Sequence, residues 1–153
     1  MPDPEVVDLS IADFAENHRQ NIDVIRIIDH GLSEYNQSVQ PDPDAAPLVL
    51  AIRSDDDRTV AGVTGRSAYG WMRVDVIWVG QSHRGKGLGQ LLMSNVEQIA
   101  RVRQCIGVHL DTHGFQAPGF YTRLGYEVFG ELSDYPQGEK HYYFRKMLEK
   151  TGS

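Results

Sequence analysis

From Asn21 onward, apolar residues recur at steps of three and four: Ile22, Ile25, Ile28, Leu32 and Tyr35. That spacing follows the turn of an α-helix and predicts an amphipathic one. Asn21 is its expected cap, and Asp23 is expected in its first turn, where the helix dipole favours negative charge. Prolines in residues 40–47 lack the amide hydrogen and clash with a preceding turn, so a loop is predicted there. Three runs of strand character follow, at residues 48–53, 59–67 and 72–79, separated by short turns at 55–58 and 68–71. Consecutive strands with short turns imply an antiparallel meander. After Gly87 the period changes again: Leu88, Leu91, Leu92, Val96, Ile99 and Val102 trace one helical face, predicting a helix over about 87–103. Residues 105–112 read as a strand, 117–124 as a short helix, and 126–132 and 141–148 as two more strands, with Pro136 and Gly138 between them. Residues 5–9 read as a short edge strand.

The order β–α–βββ–α–β–α–ββ predicts an α+β fold in three α/β layers. Its sheet is mixed and mostly antiparallel, with a central parallel pair flanked by helices. One domain is expected over residues 1–153. A single strand–helix–strand crossover also sets a helix N-terminus, and the anion site that goes with it, at the strand ends beside the sheet.

Composition narrows the function classes. The chain is long enough for a real core, and 41% hydrophobic with 24% charged residues describes an ordinary globular protein. A net charge of -6 argues against general nucleic-acid binding and favours cationic partners such as amines. Cys105 is the only cysteine, which excludes an intrachain disulfide and fits a reducing compartment. Set in an apolar run, it reads as a small core residue rather than a nucleophile. No basic-then-apolar stretch marks a signal peptide and no 18-residue apolar run spans a bilayer, so a cytoplasmic location and no membrane partner are expected.

The chemistry concentrates in the stretch from Gly80 to Leu92, GQSHRGKGLGQLL, which follows a strand and opens a helix. Gly80 and Gly85-Lys86 have P-loop spacing, but Gly87 stands where the magnesium-binding Ser or Thr belongs. A dinucleotide fingerprint fails as well, because its second glycine gap is too short here. The remaining reading is an anion cradle. Glycines at 85, 87 and 89 let backbone amides approach a pyrophosphate. The first helical turn at Leu88, Gly89 and Gln90 adds unpaired N–H donors and the positive end of the dipole. Arg84 and Lys86 supply formal charge.

Arg84-x-x-Gly87-x-Gly89, preceded by an apolar strand, resembles the acetyl-CoA pyrophosphate loop of the GNAT superfamily of N-acetyltransferases. A second segment, QAPGFYTRLGYEVFGE (Gln116 to Glu131), resembles that family's Ala-x-x-Phe-Tyr-x-x-x-Gly-Phe pattern. The resemblance spans residues 48–148 and implies a GNAT-like sheet and transfer of an acetyl group from acetyl-CoA to a primary amine. It implies that strand 72–79 pairs its backbone with the pantetheine arm, with Ile77, Trp78 and Val79 nearest the loop. An N–H near Val79 would stabilise the developing oxyanion. Phe120 would touch the cofactor or the core, and Tyr121 matches the family's general acid. Asp75, a carboxylate within an apolar strand, is the expected base, with Asp111 as a second candidate on the acceptor side and a salt bridge to Arg66 or Arg73 as the alternative role for Asp75. Glu34, Tyr35 and Asn36 are expected to wall the acceptor pocket.

Partners implied are a small-molecule amine acceptor and, for assembly, a homodimer. His109, Asp111 and His113 alternate along one strand face, a geometry compatible with metal ligands. The glyoxalase-like fold that would use them repeats its module, however, and this chain shows no repeat, so no metal is expected. A module of the same shape that binds acyl-CoA without catalysis is the other function class compatible with these motifs.

Overall fold

The computed structural model describes residues 10–13, 15, 16 and 18–150; the strand predicted over 5–9 lies outside them. The chain forms two compact units, one ending at Pro41 and the other beginning at Asp42. The first unit contains α1, His18–Val39. It starts before Asn21, because the polar residues His18, Arg19 and Gln20 carry no apolar period to reveal the opening turn. Asn21 is therefore no cap: its side-chain amide donates back to the Ala15 carbonyl at 3.5 Å, and Asp23 falls beyond the first turn. Among the described residues, no helix is long and apolar enough to cross a membrane.

The second unit is built on a six-stranded sheet: β1 (Ala46–Arg53), β2 (Thr59–Ala68), β3 (Trp71–Val79), β4 (Gly107–His113), β5 (Glu127–Ser133) and β6 (Lys140–Met147). In spatial order the strands run β1-β2-β3-β4-β6-β5. Among the described residues, only β3 and β4 pair in parallel, and the other four pairs are antiparallel. The helix α2 (Leu88–Val102) makes the crossover between them, and the short α3 (Gly119–Arg123) follows β4. This is the predicted mixed sheet with a central parallel pair and flanking helices.

One core holds the unit together. Leu48, Val63, Met72, Val108 and Phe144 from the sheet meet Met93 and Val96 of α2, all almost fully buried. The stripe that α2 buries is Leu92, Met93, Val96, Glu97 and Ala100. It is rotated from the face read off the sequence: Leu91 and Val102 are exposed. Cys105 is buried, and burial pushes its thiol up, as suits a core residue.

The element that shapes the site is a β-bulge. Thr64 of β2 pairs with Val76 and Gly65 with Val74, leaving Asp75 as the extra residue on β3. Gly65 is required there, since a Cβ on it would lie 2.0 Å from the Arg73 carbonyl oxygen. The bulge shifts the side-chain phase. Met72 and Val74 point into the core before it and Ile77 and Val79 pack on the core after it, while Asp75 and Val76 both face outward. Asp75 thus does not share the parity of Ile77 and Val79 that a regular strand would give it. Pairing between β3 and β4 covers only Trp71–Gly107, Met72–Val108 and Arg73–His109; beyond that the two strands part.

Candidate active site

Where β3 and β4 part, a cavity of about 230 Å³ opens. Residues 74–77 line it on one side and 110–112 on the other, with Gln116 and Tyr121 completing the wall. Beyond the pairing at Arg73, the edge of β3 that faces β4 has no partner strand among the described residues. Its backbone is therefore available to an extended ligand, as in recognition by strand addition.

A second hollow, of about 590 Å³, lies at the α2 N-terminus. Val79, Arg84, Gly85, Gly87, Leu88, Gly89, Gln90 and Phe120 line it, with His83, Arg123 and Leu124. The loop's glycines have different reasons. Gly85 and Gly87 have φ of +74° and +79°, left-handed conformations that side chains resist. Gly87 caps α2 in this way. At Gly89 the constraint is space, since a Cβ there would come within 3.2 Å of the Phe120 ring. The first helical hydrogen bond runs from Leu91 N to the Gly87 carbonyl at 3.0 Å. The amides of Leu88, Gly89 and Gln90 thus precede the helical ladder and form a donor set for an anion. Arg84 ties the loop to the strand end by donating from Nε to the Val79 carbonyl at 3.1 Å. Gly80 directly follows β3, and its amide donates to the Val60 carbonyl at 2.8 Å, a tie to the neighbouring strand.

Tyr121 is 6% exposed, held by ring contacts to Phe120, Tyr126 and Phe144, and lines the cleft. Burial pushes its phenol up to about 12, so the hydroxyl keeps its proton through the neutral range. Asp75 lines the same cleft but is exposed, and Arg73 Nε donates to its Oδ1 at 2.6 Å. The bulge turns Asp75 outward, and its ion pair with Arg73 is the alternative role that the sequence offered for it. Asp111 lies across the cleft on β4, its Oδ2 2.7 Å from His141 Nε2.

The chain matches the acetyltransferase (GNAT) family over residues 12–126. It belongs to the GNAT acetyltransferases. It is 44% identical to a blasticidin-S acetyltransferase of Streptomyces morookaense over 80 residues, 50% of this chain and 57% of that enzyme's length. It is 31% identical to the acetyltransferase Atu2258 of Agrobacterium fabrum over 117 residues, covering 76% of this chain and 85% of that one. A crystal structure from Agrobacterium tumefaciens, assigned as an acetyltransferase, superposes with a TM-score of 0.80 at 27% identity, covering 93% of this chain and all of the other.

Within this acetyltransferase the predicted site residues separate into groups. Asp75, Ile77, Asp111 and Tyr121 come together at the cleft. Val79, Arg84, Gly85, Gly87, Leu88, Gly89, Gln90 and Phe120 come together at the loop. Trp78 is half exposed and lines neither hollow, and Lys86 is likewise outside both linings. Glu34, Tyr35 and Asn36 lie on α1 in the first unit, where Glu34 pairs with His30 one turn earlier at 3.2 Å. His109, Asp111 and His113 differ in their contacts. His109 meets the edge of Trp71, and burial pushes its imidazole down, whereas Asp111 and His113 both contact His141.

Thr112 and Gln116 are polar residues of the cleft lining that the sequence reading missed, and it also missed His141, which lies outside the lining but contacts Asp111. His141 joins the site only through the β4–β6 register, which sets it opposite His113. The signal available was weak: a histidine opening the last predicted strand.

Proposed function

We propose that this acetyltransferase transfers the acetyl group of acetyl-CoA to a primary amine of a small molecule, by direct attack in a ternary complex. The observation that carries this reading is that the two hollows are bordered by the same two elements. β3 lines both, and adjacent residues of α3 divide between them, Phe120 at the loop and Tyr121 at the cleft. A pyrophosphate on the loop would therefore send its attached chain along the unpartnered edge of β3 toward Tyr121.

When bound, acetyl-CoA supplies the acetyl group as an activated thioester. The amides at the head of α2 hold the pyrophosphate, and Arg84 fixes the loop that presents them. Backbone N–H groups near Val79 stabilise charge developing on the carbonyl oxygen. Asp75 and Asp111 flank the cleft as the carboxylates available to take the proton of the amine, directly or through water. Tyr121 gives its proton to the departing sulfur, a role its buried, protonated hydroxyl suits. The name of the Streptomyces relative, a blasticidin-S acetyltransferase, supports an antibiotic-like small-molecule acceptor, and the net charge of -6 supports a cationic one. A cytoplasmic location accords with this co-substrate and with the lone cysteine.

Incubation with acetyl-CoA and a panel of small cationic amines, followed by mass spectrometry, tests the reading. An acetylated amine formed only with the protein present is expected. Binding of CoA with no acetylated product across the panel would overturn it.

A further inference from the structure

Among the buried titratable side chains that the mechanism above does not use, His141 is the one in contact with a cleft carboxylate. His141 on β6 is 4% exposed, and both its ring nitrogens are engaged. Nε2 lies 2.7 Å from Asp111 Oδ2, and Nδ1 lies 2.9 Å from Nδ1 of His113. Nδ1 of His113 also lies 3.1 Å from the Tyr135 carbonyl oxygen. One set of neutral tautomers is compatible with all three contacts, with the single hydrogen on His113 Nδ1 shared between two acceptors. A carbonyl oxygen only accepts, so His113 Nδ1 must carry a hydrogen. The facing Nδ1 of His141 is then an acceptor, and the hydrogen of His141 resides on Nε2, directed at the Asp111 carboxylate. The reverse choice would set a lone pair of His113 against the Tyr135 oxygen.

The ring of His141 is also clamped. It packs at 4.4 Å from His113, 4.7 Å from Tyr135 and 5.2 Å from Tyr143, measured between ring centroids. A buried, clamped donor with one hydrogen to give fixes the orientation of the group that accepts it.

We infer that His141 is a positioning residue for Asp111. By holding Oδ2, it leaves Oδ1 to receive the acceptor amine in the cleft. This inference rests on the acetyl-transfer reading and adds the acceptor side to it. The ammonium of the acceptor gives one proton to Oδ1 and keeps its electron pair, which becomes the nucleophile. The resulting carboxyl passes that proton to water at its exposed side, 53% of the side chain being accessible. His141 keeps its own Nε2 hydrogen throughout and shuttles nothing.

Isosteric variants separate this role from a merely structural one. His141→Gln sets a donor where Nε2 stands, while His141→Asn sets one where Nδ1 stands. His141→Gln is expected to retain kcat/KM for the amine within about threefold, and His141→Asn to lose roughly tenfold or more, since small misplacement of a reacting group is costly. The KM for acetyl-CoA is expected to stay unchanged in both. Equal activity of the two variants, or equal loss accompanied by a raised acetyl-CoA KM, would overturn the inference while leaving acetyl transfer intact. Failure of the unaltered protein to acetylate any amine would instead remove the reading beneath it. A readout independent of turnover is long-range nitrogen–proton NMR of the imidazoles in the substrate-free protein. Nε2–H on His141 and Nδ1–H on His113 are expected, and Nδ1–H on His141 would overturn the inference.

Discussion

Tyr121 illustrates how burial keeps a hydroxyl protonated. Its ring is locked among three aromatic neighbours, and removal from water opposes ionisation of the hydroxyl. Tyr121→Phe keeps that packing and deletes the proton, so kcat is expected to fall roughly 100-fold with little change in the acetyl-CoA KM, as steady-state kinetics would register. The same shift has a stability consequence. A phenol raised from 10.0 to about 12 in the folded state binds its proton more tightly there than when unfolded. Its contribution is therefore complete below pH 10 and is lost as pH rises from 10 to about 12. Urea midpoints measured across that range should fall in the unaltered protein and fall less in Tyr121→Phe. The two cleft carboxylates separate on the same scale. Asp75 has Oδ1 engaged by Arg73, whereas Asp111 is held by a buried histidine. Asp111→Asn is expected to reduce kcat/KM for the amine by at least about tenfold more than Asp75→Asn, within the range of general-base effects. At the loop, Gly87→Ala meets a left-handed backbone at φ +79°. Roughly 1–2 kcal/mol of stability should be lost and the acetyl-CoA KM should rise.

At the scale of elements, the bulge in β3 separates what the sequence reveals from what it hides. Strand positions, both main helices and the glycine loop were legible, because hydrophobic period and turn residues are local signals. The phase shift at Asp75 was not. It arises from how Gly65 admits the Arg73 carbonyl across the strand pair. Alternation counted along β3 alone therefore gives Asp75 the wrong neighbours. The opening turn of α1 was missed for the opposite reason, since its polar residues have no period to read. His141 became visible only once pairing with His113 had fixed the register of β6 against β4. A further tie between elements is the ion pair of Lys146 on β6 with Glu97, which is 7% exposed on α2; Lys146 also donates to the Leu124 carbonyl at 2.8 Å. Lys146→Met strands a buried carboxylate and is expected to cost about 3–5 kcal/mol. Chemical denaturation would measure it, and a loss below about 1 kcal/mol, typical of exposed pairs, would contradict this assignment.

For the molecule as a whole, the negative charge and the anion-binding loop divide the labour. A backbone cradle can hold a pyrophosphate although the chain carries a net charge of -6, because its donors are amides at a helix end. On the proposed reading, the net negative charge would attract a cationic acceptor, and that long-range attraction would be screened by salt, with a Debye length of about 10 Å at 0.1 M. The central claim is direct transfer from acetyl-CoA to an amine on a protein whose one cysteine is buried. Release of the CoA thiol, followed while acetyl-CoA and a cationic amine are varied together, tests it most directly. Release that requires the amine, with intersecting double-reciprocal lines and no acetyl group on the protein, is the predicted result. Release that ignores the amine, or parallel lines with an acetylated protein, would contradict it.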